Sequence, residues 1–203
     1  MPGLKNPMRI VYYSLMLILE AASRVSLRRK GVGINQSVRL AGAPIVELAS
    51  PSSIDIGARV VLTSASRSTA LGVSHPVVLR TLFPGASIVI GPDTGISGAS
   101  ICAAMSVSIG ARCLIGADVM IFDTDFHPLE ASGRRHAPIP TPTADDGVSI
   151  GNDVFIGARS VILKGSRIGD GAVIGAGSVV RGEIPPGAVA AGNPASVIRV
   201  PEF

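Results

Sequence analysis

The sequence predicts an all-β fold, a parallel β-helix, from three observations: a six-residue apolar period, a core of small branched side chains, and a long interruption of the period near its middle. From Ile150 the chain divides into IGNDVF, IGARSV, ILKGSR, IGDGAV, IGAGSV and VRGEIP. The first position is Ile150, Ile156, Ile162, Ile168, Ile174 and Val180, aliphatic throughout. The fifth is Val154, Ser160, Ser166, Ala172, Ser178 and Ile184, small or aliphatic throughout. A period of six matches neither the 3.6 of an α-helix nor the 2 of an alternating strand. It matches a coil whose flat faces each consume six residues, with the first position inward and glycine at corners where a β-carbon would clash. Stacked coils form parallel sheets and bury each apolar row on the next.

The register continues upstream through Ile109, Ile115 and Ile121, and through Ile90, Ile96 and Cys102 with one extra residue before Ile109. IGARVV at Ile56 reads as an isolated turn, and residues 62–87 fit the period poorly. Cys102 and Cys113 both fall at apolar positions, which predicts reduced core thiols of a cytosolic protein, neither a disulfide framework nor metal ligands.

Composition supports a narrow interior. There are 24 glycines and 15 prolines, no tryptophan, and only 3% aromatic residues, so the apolar mass is Val, Ile and Ala. The net charge of +4 is uneven: residues 1–40 hold seven basic groups against one acid, Glu20, which leaves residues 41–203 slightly acidic. The basic balance therefore belongs to the N-terminus and predicts no nucleic-acid binding by the main domain.

The expected organisation is an N-terminal helical segment over 1–36, a β-helix over 37–187 with an inserted loop at 123–147, and a tail over 188–203. In the first segment Val11, Leu15, Ile18, Ala22 and Val25 share one helical face, with Arg24, Arg28 and Arg29 beyond. That face packs on the coil or on another subunit, or it meets a membrane surface through apolar and basic groups. The run Ile10–Leu19 falls well short of the roughly 20 apolar residues a spanning helix needs. No small-residue cleavage site follows it, so the expectation is a cytoplasmic protein, peripheral to the inner face of the membrane if the helix engages it.

The interruption opens with Asp123-Thr124-Asp125-Phe126-His127-Pro128. An excursion of this length from a regular solenoid is usually functional. An imidazole can take the proton of an attacking hydroxyl near neutral pH, and a carboxylate two or four residues away can orient the ring or bind a sugar hydroxyl. His127 is therefore the candidate general base. His75, in a poorly periodic stretch, and His136, beside Arg134 and Arg135, read as ordinary surface residues. No Gly-x-Ser-x-Gly elbow offers a serine nucleophile.

The repeats, the His127-Pro128 at the start of an inserted loop, and the segment Ala191-Gly192-Asn193-Pro194-Ala195-Ser196-Val197-Ile198-Arg199 together resemble the hexapeptide-repeat sugar O-acetyltransferases, including the galactoside, maltose and polysaccharide-modifying branches. The resemblance covers roughly residues 85–200. It implies a left-handed β-helix, a homotrimer with sites in the clefts between coils, and direct transfer from acetyl-CoA to a hydroxyl without an acyl-enzyme. It places the base at His127, acceptor contacts at Asp125 and Ser97, and the oxyanion donor at the backbone N–H of Ala158. The pantetheine arm would pass Ala158 and Ala176, with Arg181 and Arg199 near the adenine and phosphate end. Ser97 departs from the family's Asn, and Gly182 stands where a Lys is common. No metal is required.

Other readings share the fold. A γ-class carbonic anhydrase would need three zinc-binding histidines, and the three here are scattered over 75, 127 and 136. A serine acetyltransferase would carry a long helical domain ahead of the coil. A sugar-nucleotide N-acyltransferase shares the coil and a catalytic His, and fold alone does not separate acceptors. A purely structural solenoid predicts an unbroken ladder, which residues 123–147 oppose.

Overall fold

Each six-residue unit does form one short strand and one corner. A computed structural model of the chain describes residues 7–200, with side chains from Leu17 onward. Its strands fall into three sheets, of seven, eight and six strands, here named A, B and C. The chain visits A, B and C in turn, so each sheet takes one strand per coil, and every pairing is parallel except the last.

Register partners stack the apolar row into three inward columns. Ile34, Ile56, Ile90, Ile109, Ile150, Ile168 and Ile184 line sheet A. Leu40, Leu62, Ile96, Ile115, Ile156, Ile174 and Ala190 line sheet B. Val46, Leu79, Ile101, Ile121, Ile162 and Val180 line sheet C. All are buried and belong to one continuous core. The fifth-position serines Ser160, Ser166 and Ser178 are also buried, and each hydroxyl donates to a main-chain carbonyl, so none is left unsatisfied.

Three sequence expectations change here. The inward residue of the third coil is Ile101, and Cys102 points outward, half-buried. The B-to-C corner there is one residue short, with Gly98 at φ 53°, and the next corner is longer to compensate. The turn at Ile56 is not isolated either. Ile34, Leu40 and Val46 form a complete coil ahead of it, at perfect six-residue spacing, in a stretch assigned partly to the helical segment. At the other end the coil runs past residue 187. Val189–Gly192 extends sheet B, and Ala195–Arg199 folds back antiparallel on it.

Helix α1 spans Pro7–Arg29 and caps the open end of the first coil. A terminal coil leaves backbone groups without a neighbouring strand, and such edges must be covered or paired. Arg24 donates to the carbonyls of Asn35 (3.1 Å), Gln36 (2.9 Å) and Val38 (2.5 Å), and pairs with Glu20 at 3.1 Å. Glu20 in turn accepts the Leu40 N–H, and the Lys30 ammonium donates to the Val46 carbonyl. Leu27 is buried against the core. The helix thus docks through Glu20, Ser23, Arg24 and Leu27. Ile18, Ala22 and Val25 face away from the coil, opposite to the expectation that this face packs on it, and the side chains of Val11 and Leu15 lie outside the described residues.

Candidate active site

Two excursions leave the coil, and they leave it at different corners. The first, residues 64–77, joins sheet B to sheet C in the second coil. The second, residues 123–147, joins sheet C of the fourth coil to sheet A of the fifth. Sheet C lies between the two corners.

The base of the second excursion is pinned by Asp123. Its carboxylate is fully buried and accepts the backbone N–H groups of Ala104 (2.5 Å), Met105 (2.7 Å) and Ser106 (2.6 Å). Burial pushes this carboxyl above its ordinary range, against the pull of those three N–H groups. A carboxylate so committed cannot orient His127 or bind an acceptor, so of the two acids preceding the histidine only Asp125, which is exposed, can face an acceptor. Beside it, burial and then Asp123 push the Cys102 thiol up to about 11, which keeps it protonated at neutral pH.

Phe126 takes a left-handed conformation at φ 60°, with its N–H bound to Thr124 Oγ1 at 3.2 Å. Its ring tilts against Phe122 on the outer side of sheet C at 5.4 Å. This reversal turns the next residue, His127, to the surface, where it is exposed. No hydrogen bond holds its ring among the described residues. Arg134 ties the loop tip together, donating to the carbonyls of Pro128, Leu129 and Glu130. His136 sits exposed at that tip.

Lys164, which no sequence signal singled out, closes the loop. Its ammonium meets Asp125 at 2.7 Å and Asp146 at 3.2 Å, so it bridges the first and last turns of the excursion. The hydrogen bond to Asp125 leads in raising the Lys164 pKa. Asp146 lies below its ordinary range, chiefly because it accepts the Thr143 N–H in a capping box, and then through Thr143 Oγ1 and Lys164. Asp125 thus faces Lys164, and its carboxylate is half of an ion pair.

These shifts set a pH window for loop closure. A depressed Asp146 contributes stability above its unfolded pKa and loses it as pH falls through the folded value. A raised Lys164 contributes below its unfolded pKa and loses it as pH rises through the folded one. Protection of amides in 123–147, measured against the intrinsic exchange rate at each pH, is therefore expected to be greatest between the ordinary carboxylate and lysine values, about 4 and 10. Lys164→Met is expected to raise exchange there about fivefold at neutral pH, since half-exposed pairs are worth up to about 1 kcal/mol. Unchanged exchange would show that the lysine does not hold the loop.

Ser97, Ala158 and Ala176 occupy the B-to-C corner in the third, fifth and sixth coils. The Ala158 carbonyl accepts the Gly177 N–H, but the N–H groups of Ala158 and Ala176 have no partner among the described residues. Glycines above keep them accessible. A β-carbon at Gly116 would lie 2.6 Å from the Ala158 nitrogen, and one at Gly157 would lie 2.4 Å from that of Ala176. The corner therefore presents a column of free backbone donors along the coil axis, the arrangement an amide-bearing chain or a developing oxyanion needs.

The first excursion walls this corner. The Ser74 N–H binds Asp118 Oδ1 at 2.9 Å, and Val73 covers Gly98, where a β-carbon would lie 2.5 Å from Val73 Cβ. His75 comes with it, its Nδ1 2.7 Å from the Pro76 carbonyl. The structure thus sets the backbone of His75, read from sequence as an unremarkable residue, against Gly98, where a β-carbon would lie 3.0 Å from the His75 carbonyl oxygen. Poor periodicity over 62–87 was the available signal that this stretch leaves the coil.

Within one chain His127 does not meet the residues expected around it. Ser97, Ala158 and Ala176 share one corner, while His127, Asp125 and Lys164 leave from the next. Arg181 also sits at the C-to-A corner, exposed, across sheet C from Ala176. Arg199 lies opposite Val189 in the closing hairpin, at the end away from that corner. Among the described residues no group of three or more His, Cys, Asp or Glu is arranged to hold a metal ion.

The outer faces differ in character. Sheet A presents Asp55, Val89, Ser108, Ser149, Arg167 and Glu183, mostly polar. Sheet B presents Arg39, Val61, Gly95, Leu114, Phe155, Val173 and Val189, apolar beyond its first strand, with Leu114 and Phe155 paired as neighbours and 60% and 46% exposed.

Comparison with known proteins points the same way. Residues 147–182 match the bacterial transferase hexapeptide model (six repeats), and 106–121 match the hexapeptide repeat of succinyl-transferase. The chain is 43% identical over 94 residues to a galactoside O-acetyltransferase of Escherichia coli strain K12, covering 46% of this chain and 44% of that one. It spans less than half the length of that curated relative. A polysialic-acid-specific acetyltransferase of known structure is 25% identical, with a TM-score of 0.56 over 80% of this chain and 69% of its own. A hexapeptide-repeat acetyltransferase from Vibrio cholerae, solved with acetyl-CoA, superposes with a TM-score of 0.55 at 22% identity, over 92% of this chain and 82% of its own. These neighbours share the left-handed parallel β-helix.

Proposed function

We propose that this chain, a hexapeptide-repeat β-helix similar to the sugar O-acetyltransferases, transfers an acetyl group from acetyl-CoA to a hydroxyl of a sugar or polysaccharide precursor. The observation that carries this reading is the column of unpartnered N–H groups at Ala158 and Ala176. Pantetheine carries amide carbonyls that such donors can hold, and the Ala158 N–H is offered to the thioester oxygen as it gains charge. The acceptor hydroxyl attacks the thioester carbonyl as His127 removes its proton. The tetrahedral intermediate then collapses, the carbon–sulfur bond breaks, and CoA leaves as the thiol on taking up a proton from the imidazolium. Asp125 and Ser97 supply acceptor contacts, and Arg181, from the corner across sheet C, meets the phosphate end of CoA, a role that the position of Arg199 in the closing hairpin does not favour.

Since one chain holds the histidine and the donor column at different corners, the reading requires a second copy. A closed three-fold ring supplies one with a single interface type, and it gives the apolar outer face of sheet B a covering. Leu114→Glu and Phe155→Glu are each expected to convert a trimer to monomers in light scattering, because a carboxylate buried without a partner costs several kcal/mol. Wild type running as a monomer would contradict the ring.

The test of function is thiol release from acetyl-CoA with a panel of free sugars, oligosaccharides and amino sugars. Release with a hydroxyl acceptor, giving a product cleaved by alkaline hydroxylamine, supports ester formation. A hydroxylamine-resistant product means amide formation on an amino sugar, and no release with any acceptor leaves a structural solenoid. His75→Ala separates the two histidines: its Nδ1 is engaged by the Pro76 carbonyl at 2.7 Å, and loss of turnover there with His127→Ala unaffected would move the base to His75.

A further inference from the structure

An amphipathic helix on a protein surface normally docks by its apolar stripe and leaves charges in water. The described side chains of helix α1, from Leu17 onward, do the reverse. Its docked side is Glu20, Ser23, Arg24 and Leu27, and its polar members are spent on the backbone edge of the first coil. The opposite side runs Ile18, Ala22, Val25 and Arg29, at spacings of four, three and four, and is open to solvent. Ile18 is 65% and Val25 48% exposed.

Charge indicates what the stripe meets. The one acid among residues 1–40, Glu20, is neutralised by Arg24, so the helix surface carries only positive charge. Arg28 and Arg29, the basic groups of the last turn, are exposed and make no ion pair among the described residues. An exposed apolar stripe ending in unpaired guanidinium groups matches the boundary of a bilayer with anionic headgroups, apolar side chains entering the acyl edge and arginines meeting phosphates. A neutral or cationic partner would leave the arginines without a counter-charge. No helix among the described residues is long and apolar enough to cross a membrane, so the contact lies in the plane of the surface.

We propose that the outward face of α1 holds the protein peripherally on an anionic membrane surface. If the chain is a closed trimer, as the reading above has it, cyclic symmetry brings three copies of α1 to one end of the ring, and three weak contacts act together. Membrane-bound acceptors would then be met at that surface, but the binding itself does not depend on acetyl transfer.

The test is flotation of the purified full chain with vesicles of phosphatidylcholine alone or with about 30% phosphatidylserine. Flotation with the anionic vesicles only is expected. Arg28→Gln with Arg29→Gln should weaken partitioning about 30-fold for each α1 engaged, and so by at least that factor, and Ile18→Glu with Val25→Glu should abolish flotation with melting temperature and light scattering unchanged. Absence of flotation with anionic vesicles, or equal flotation with both kinds, overturns the proposal. So does dissociation of the assembly by Ile18→Glu with Val25→Glu, which would make the stripe a contact between copies. Acetyl transfer measured on the same variants with a soluble acceptor keeps failure of this proposal distinct from failure of the catalytic one.

Discussion

His127→Ala is expected to lower kcat for acetyl transfer by about a hundredfold to ten-thousandfold, the usual range for a positioned general base. KM for acetyl-CoA should move little, since the free N–H groups of Ala158 and Ala176 lie on the coil itself. The substitution should leave the fold intact, because the ring is exposed and makes no hydrogen bond within the chain among the described residues. Circular dichroism and melting provide that control. Mixing inactive His127→Ala chains with chains inactivated at the donor column, for example by Gly116→Val, gives a sharper result. If the site is shared between copies, mixed trimers recover part of the activity. If each site lies within one chain, they recover none, and full activity in His127→Ala alone removes the histidine from the mechanism.

Asp123→Ala is expected to cost about 3–5 kcal/mol of folding stability, although the residue lies four positions from His127. The buried carboxylate satisfies the N–H groups of Ala104, Met105 and Ser106, and its removal strands three donors at a corner that is buried at Ala104 and part-buried at the other two. Each buried unmet donor costs about 1–3 kcal/mol, and partial solvation of the enlarged corner returns some of that. Urea unfolding with an unchanged m-value would register the loss as a fall in midpoint. Asp125→Ala gives the contrast. It breaks a half-exposed pair with Lys164 and is expected to cost no more than about 1 kcal/mol, with its main effect on turnover. A comparable stability loss for both variants would mean that Asp123 has no special place in the fold.

The two aspartates show where sequence reasoning stops. At spacings of two and four from His127 they look interchangeable as partners for the ring. Burial separates them, one into the corner beneath sheet C and one to the surface beside Lys164. Lys164 stands in ILKGSR at a corner position where many residue types fit, and it gains its place only because residues 125 and 146 return to the same coil corner. The outward turn of α1 is a similar case: periodicity identified the stripe of Ile18, Ala22 and Val25 correctly, but not which side the coil would claim. Arg24 decided that, by finding three carbonyls at an edge that no strand covers.

By itself the sequence determined the repeat, the inward columns from Ile109 onward and the existence of the excursion that carries His127. A periodic fold repeats one local environment, so spacing alone suffices to read it. It left the first coil half-hidden, because the step from Val46 to Ile56 breaks the count of six after that regular coil, and it set Cys102 inward, because the corner between Ile96 and Ile101 is one residue short. The tertiary structure decided which candidates share a corner. Ser97, Ala158 and Ala176 align through stacking of coils, and His127 and Arg181 stand one sheet away, since position around a coil depends on every corner length between two residues.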